Sequence, residues 1–108
     1  MIKPELYDVV EIITELPEYN LHAGTRGTVV LQYSDEDFEI EFVDEEGNSL
    51  AICTLPLHQF IVVWQANGEH AVSLTDQIAQ IVSRLPNEVG SEVLDFARFL
   101  SMRANHSS

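Results

Sequence analysis

The chain has 108 residues, of which 45% are hydrophobic and 8% aromatic, and its formal net charge is −13. This composition is typical of a small globular protein and excludes a wholly disordered chain. No apolar run approaches the roughly 20 residues that span a bilayer, and residues 1–7 contain no apolar signal-peptide core. We therefore expect no membrane association and a cytoplasmic location.

The negative charge is concentrated in the first part of the chain. Residues 1–64 carry 13 acidic side chains against Lys3 and Arg26, a net charge of −11, whereas residues 65–108 have a net charge of −2. A negative potential repels nucleic-acid phosphates, whose binding needs clustered Lys and Arg. The same potential attracts a basic protein and speeds its association. We therefore predict no nucleic-acid binding, and a protein partner that is either basic and toxin-like or a second copy of the chain.

Residues 1–64 show the patterns of short strands. Residues 7–13 are rich in β-branched side chains and predict a strand, although residues 4–16 could also be read as a short helix. The clearest strand is 38–42, in which three apolar residues alternate with two glutamates. Further strands are predicted at 28–33, 49–54 and 60–64. Five short strands separated by Gly and Pro turns predict a small closed barrel.

The hydrophobic period changes from two to 3.6 after the predicted barrel. Residues 65–72 break the strand pattern and are predicted to be a linker. Residues 73–104 are predicted to form a helical hairpin, whose first helix begins at a capping box of Ser73 and Asp76. Residues 105–108 are predicted to be a disordered tail. The apolar stripe of the first helix consists of Leu74, Ile78, Ile81, Val82 and Leu85.

The second helix of the hairpin is apolar over more of its circumference than one facing helix can cover. A hairpin of about 30 residues cannot build a sufficient core alone. The barrel, a second copy of the chain or a foreign protein must therefore cover the rest, and the pattern leaves these three open. The predicted oligomer or partner interface consists of Val93, Leu94, Phe96, Phe99, Leu100 and Met102.

Several ordered segments resemble a known bacterial family. They are Asp8 to Val10, Leu16 to Tyr19, Gly24 to Val30, Glu41 to Gly47, and Leu55 with Pro56. Together they resemble the domain of unknown function family numbered 4926 over residues 5–64, and the resemblance implies an SH3-like barrel. The fold we predict is therefore α+β: a small SH3-like five-stranded β-barrel over residues 1–64, followed by a C-terminal amphipathic helical hairpin.

The helical segment carries a second resemblance. Residues 81–100 contain Leu85 to Val89 and Glu92 to Phe96, and they resemble a short helical family, the domain of unknown function numbered 2281. Members of that family look like antitoxins or other small accessory proteins. Neither resemblance brings a catalytic motif.

Eight carboxylates fall within one predicted hairpin. They are Asp35, Glu36, Asp37, Glu39, Glu41, Asp44, Glu45 and Glu46. Clustered carboxylates suit hard cations, but no EF-hand spacing is present. The two main interpretations are a solvated, self-repelling face and a docking face for a basic protein. We predict that the eight carboxylates are the partner-binding site and that they hold no metal. The chain also lacks zinc-protease, paired C-x-x-C and nucleophile-elbow motifs, so we predict no catalytic residues and no cofactor.

Three classes of function follow from these patterns. The leading one is a small acidic protein-binding module, the antitoxin or immunity half of a pair whose other member is basic. The alternative is a structural or assembly subunit that homodimerises through its C-terminal helices. An enzyme ranks third, because no nucleophile, base and oxyanion arrangement is recognisable.

Overall fold

The computed structural model describes residues 2–106 and has an α+β architecture, in which a curved antiparallel sheet precedes two helices. The strands are β1 (Val9–Ile12), β2 (Arg26–Gln32), β3 (Asp37–Val43), β4 (Ser49–Pro56), β5 (Phe60–Gln65) and β6 (His70–Ala71). The helices are α1 (Leu74–Ser83) and α2 (Asn87–His106), and 3-10 turns lie at Pro17–Tyr19 and Leu57–Gln59. The predicted α+β class is confirmed.

The sheet has six strands in the order β4-β3-β2-β1-β5-β6, so β4 and β6 are its edges. The predicted closed five-stranded barrel is therefore not confirmed. The short turn Leu57–Gln59 joins β4 to β5 although three strands separate them in the sheet order. The sheet must curve back on itself to allow this connection. It remains open because β3 pairs with one side of β4 and no described strand pairs with the other.

The segment 65–72, predicted as a linker, is part of the sheet. Gln65 completes β5, and His70–Ala71 pair with the end of β5 as β6. Asp8 holds the same segment in place. Its fully buried carboxylate accepts hydrogen bonds from the Glu5 and Ala66 amides, both at 2.9 Å. The predicted tail 105–108 begins inside α2, and Ser107 and Ser108 lie outside the described residues.

The concave side of the sheet forms the hydrophobic core. The alternation predicted for β3 is confirmed, since Phe38, Ile40 and Phe42 are buried. Phe38 packs edge-to-face on Phe60, with ring centroids 5.7 Å apart. Cys53 is buried in the same core, and burial raises the pKa of its thiol. The other main core residues are Val10, Ile12, Leu16, Leu21, Val29, Leu55, Val62 and Val72.

Helix α1 is attached to β5 by polar side chains. Of the predicted capping box, the structure shows the bond in which Ser73 Oγ accepts from the Asp76 amide, at 3.1 Å. Gln80 is buried against Val62: its Oε1 accepts from the Val62 amide at 2.7 Å, and its Nε2 donates to the Val62 carbonyl at 2.9 Å. Arg84 donates to the carbonyls of Leu57 and Phe60.

Helix α2 extends away from the sheet. None of its 20 residues is buried, and its main packing neighbour is α1. The Cα radius of gyration is 15.7 Å, whereas a compact chain of this length has about 13 Å. Within residues 2–106, no helix combines the length and the apolar character that crossing a membrane requires. The sheet of the same chain therefore does not cover the apolar residues of α2.

Candidate interaction surfaces

The eight predicted carboxylates do not form one cluster. Asp35 and Glu36 lie in the β2–β3 turn, whereas residues 44–46 lie in or beside the β3–β4 turn. The two turns are at opposite ends of β3, which at seven residues spans about 20 Å. Across the described part of the chain, no three His, Cys, Asp or Glu side chains are grouped to hold a metal ion.

Part of this acidic sequence has a local structural role. Asp44 Oδ1 accepts hydrogen bonds from the amides of Glu46 and Asn48, both at 2.9 Å, and the bonds from Asn48 and Glu46 lower the pKa of the Asp44 carboxyl. Gly47 follows with φ +86°, which closes the turn. Asp44 is therefore a turn-forming residue, while Glu45 and Glu46 are exposed beside it.

The convex side of β2, β3 and β4 carries a mixed surface, which we call the outer sheet face. Its carboxylates are Asp37, Glu39 and Glu41, and its large apolar side chains are Leu31, Tyr33, Val43, Leu50 and Ile52. These five apolar side chains are between 43% and 57% exposed. They are large enough, and close enough in the register, to form an apolar patch with acidic groups inside it.

The strand register brings the two kinds of side chain together. Glu41 lies across from Ile52, and Glu39 lies across from Leu31 and Thr54. The Tyr33 hydroxyl donates to Glu39 Oε1 at 2.8 Å, and this hydrogen bond raises the pKa of the Tyr33 phenol. The only Lys or Arg in these three strands is Arg26, which begins β2 on the same side as Thr28 and pairs with Glu11 at 3.2 Å, so the net charge of the outer sheet face is negative.

The helices carry a second exposed apolar surface, which we call the α2 surface. Of the six predicted interface residues, Leu94, Phe96, Phe99 and Met102 form this surface and are 50%, 62%, 54% and 63% exposed. The other two, Val93 and Leu100, are partly covered. The Phe96 and Phe99 rings stack with centroids 6.3 Å apart, and the Arg103 guanidinium lies 5.9 Å from the Phe99 centroid. The structure thus separates the six predicted residues into exposed and partly covered groups.

Sequence reasoning missed two parts of these surfaces. Leu50 and Ile52 were predicted only as strand residues, because the run Leu50 to Cys53 is uniformly apolar and does not show which side chains face outward. Leu74 and Ile78 belong to the predicted apolar stripe of the first helix, but both are exposed. The polar side of α1 that packs against β5 was visible in the sequence. It consists of Gln77, Gln80 and Arg84, whose spacing of three and four residues places them on one side of a helix.

The strands that form the outer sheet face lie within a segment that matches a known family. Residues 6–62 match the family described as domain of unknown function (DUF4926). The match covers just over half of the chain, and the chain belongs to this family. The resemblance predicted over residues 5–64 is thereby confirmed. The resemblance of residues 81–100 to the family numbered 2281 received no support. No curated protein and no solved structure matches the chain.

Proposed function

We propose that this chain is a protein-binding module that docks a basic partner protein on its outer sheet face, as an antitoxin or immunity protein covers a basic enzyme. The observation that carries the proposal is the exposed apolar patch of five large side chains beside Glu39 and Glu41. Apolar side chains contribute the contact area that a partner can bury, and the net negative charge around them favours a partner of opposite charge.

The charge of the whole chain supports the same class of partner. The net charge is −13, and Arg26, one of the two cationic side chains within residues 1–64, pairs with Glu11 at 3.2 Å. Exposed acids in the turns at both ends of β3 extend the negative potential beyond the patch. Such a potential raises the association rate with a basic protein and falls with ionic strength.

Reversing the two central charges tests this proposal. The double variant Glu39→Lys/Glu41→Lys should bind a basic protein purified from the native host at least about tenfold more weakly than the wild type, because two attractive contacts become repulsive. Isothermal titration calorimetry at about 50 mM and 200 mM NaCl measures the affinity.

The matched control changes the total charge equally at a distance from the patch. Glu69 lies in the β5–β6 turn and Glu88 in the first turn of α2, and both are exposed. The variant Glu69→Lys/Glu88→Lys should lose much less affinity. Equal losses in the two double variants would mean that only net charge matters, and unchanged affinity of the Glu39→Lys/Glu41→Lys variant would contradict docking on this face.

A second candidate function is an assembly subunit that homodimerises through α2. The charges of the helix favour it: Glu88, Glu92 and Asp95 lie in its N-terminal half, and Arg98 and Arg103 in its C-terminal half. An antiparallel pair of α2 helices places each acidic half against a basic half. This dimer would bury Phe96 and Phe99 of the α2 surface, while Leu94 lies on the opposite side of the helix, and it would leave the outer sheet face open to a partner.

One register of the antiparallel pair matches both charge and ring positions. A twofold axis between residues 97 and 98 places Glu92 opposite Arg103 of the partner subunit, and Phe96 opposite Phe99 of the partner subunit. In this register the aromatic side chains form the centre of the contact, and the ion pairs lie on either side of it.

Charge exchange tests this register. Sedimentation equilibrium should give twice the chain mass of 12.2 kDa for the wild type. Glu92→Arg and Arg103→Glu should each weaken the dimer about tenfold, since a like-charge pair replaces an attractive one. The double exchange should restore it. A wild type that stays monomeric at high micromolar concentration, or a double variant weaker than both single variants, would contradict the register.

A further inference from the structure

The curved sheet has two edges, and the structure covers only one of them. At one end of the sheet, the short strand β6 pairs with Trp64 and Gln65 of β5, and the Val72 amide donates to the Val63 carbonyl at 2.9 Å. The Gln80 side chain then binds both backbone groups of Val62. At the β4 edge, no strand of residues 2–106 pairs with the side that faces away from β3.

Strand β4 has few of the features that normally protect a sheet edge. Natural edge strands are usually short, charged, bulged or interrupted by proline. The sequence of β4 is Ser-Leu-Ala-Ile-Cys-Thr-Leu-Pro, with eight residues, no charged side chain, and proline only at its last position. The register shift near Leu50 affects one end. Residues 51–55 therefore present a regular, uncharged backbone edge.

The register identifies the backbone groups that point outward. The Leu57 amide donates to the Glu36 carbonyl at 2.7 Å, and this bond sets the alternation of hydrogen-bonded pairs along β3 and β4. In the same register Cys53 belongs to a bonded pair, whereas Ile52 and Thr54 belong to non-bonded pairs. The amides and carbonyls of Ile52 and Thr54 are thus directed away from β3, and both residues are exposed.

We propose that β4 accepts an extended segment of the basic partner as a seventh strand of the sheet. This inference rests on the proposed function for the charge of the partner. The added backbone would bond to Ile52 and Thr54, as in other cases of strand addition. Its outward side chains would lie beside the outer sheet face. Glu39 and Glu41 are one strand farther in, at about 10 Å, within reach of a Lys or Arg side chain.

Charge complementarity favours this occupant over a second copy of the chain. A second β4 strand has no cationic side chain to place near Glu39 and Glu41, and it belongs to a chain of net charge −13. A segment in which basic and apolar residues alternate can bond to the outward backbone groups of β4 and place its basic side chains near the two carboxylates. Its apolar side chains would face the concave side, next to the edge of the core.

Amide hydrogen exchange tests the strand addition. The probe is a capped octapeptide of alternating Lys and Val, and the matched control is the same peptide with Glu in place of Lys. With saturating Lys-Val peptide, exchange at Ile52 and Thr54 should slow at least about tenfold. The Cys53 amide should be protected already and change little, and the Glu-Val peptide should have no effect.

Proline at position 54 removes one backbone N–H that points away from β3 and leaves the hydrogen bonds between β3 and β4 in place. Thr54→Pro should abolish protection of Ile52 by the Lys-Val peptide, while unchanged exchange at core amides shows that the sheet still forms. Perturbation of Leu31, Tyr33 and Val43 without protection of Ile52 and Thr54 would overturn strand addition and leave the proposed docking face standing. Concentration-dependent protection without peptide would assign the edge to a second copy. Equal protection by both peptides would overturn the basic character of the segment.

Discussion

Replacing Gln80 by Leu is expected to lower the free energy of unfolding by about 2–4 kcal/mol, although leucine has a similar volume and is more hydrophobic. Gln80 is 1% exposed, and its amide group binds both the N–H and the C=O of the fully buried Val62. Leucine can bond neither group. Two buried backbone groups without partners each cost about 1–3 kcal/mol, which exceeds the gain from one apolar side chain.

Urea denaturation monitored by circular dichroism measures this difference. The matched control is Gln77→Leu, one turn earlier on α1, where the side chain makes a single hydrogen bond to the Val72 carbonyl at 3.0 Å and is partly buried. We expect the control to cost about 1 kcal/mol or less. A Gln80→Leu protein as stable as the wild type would show that α1 is not held to β5 by this amide.

Replacing Gly27 by Ala is expected to destabilise the protein by about 1–3 kcal/mol, because the new methyl group has no space. A Cβ atom at this position would lie 2.7 Å from Ile40 Cγ2, 2.9 Å from the Glu41 carbonyl oxygen and 2.9 Å from Phe42 Cδ1. One of these contacts is with backbone and the others are with buried side chains. Strands β2 and β3 would therefore have to move apart, which weakens the sheet beneath the outer face.

The same substitution at Gly90 should have the opposite sign. Gly90 lies in α2, and a Cβ atom there would meet nothing within 4 Å. Alanine in a helix is favoured over glycine by about 1 kcal/mol, so Gly90→Ala should raise the helical content of α2. Chemical denaturation and far-ultraviolet circular dichroism distinguish the two variants. Equal stability of wild type and Gly27→Ala would contradict the close approach of β2 and β3.

Local patterns predicted the strands well but not how the sheet ends. The alternation of Phe38, Ile40 and Phe42 identifies a strand with one buried face, and the structure contains it. Closure of a barrel depends on whether β4 finds a second pairing partner, and no local pattern in β4 encodes this. The two-residue strand His70–Ala71 was missed because it is too short to show a period.

Helix α1 shows a second limit of hydrophobic patterning. Its apolar stripe predicted that Leu74 and Ile78 pack inward, yet both are exposed and Gln80 is buried. The outward backbone groups of β5 need hydrogen-bond partners, and a glutamine amide supplies both a donor and an acceptor. Hydrophobicity alone does not reveal where such backbone groups lie.

The candidate surfaces were predicted unequally. Contiguity in sequence suggested one acidic face, but β3 separates the two acidic turns, and the structure adds exposed apolar side chains between them. The apolar excess of α2 was visible from helical spacing, and four of the six residues named for it are at least half exposed. Exposure of Leu50 and Ile52 required the strand register, which determines their orientation.

Site-specific photo-crosslinking in the native host tests the central claim most directly. A photoreactive phenylalanine analogue replaces Tyr33 on the outer sheet face in one variant and Phe96 on the α2 surface in another. The proposed function predicts a discrete adduct of Tyr33 with one protein of high isoelectric point, and the dimer predicts that Phe96 links two copies of the chain. Adducts of Tyr33 with acidic proteins, or no discrete adduct at all, would contradict docking of a basic partner on the outer sheet face.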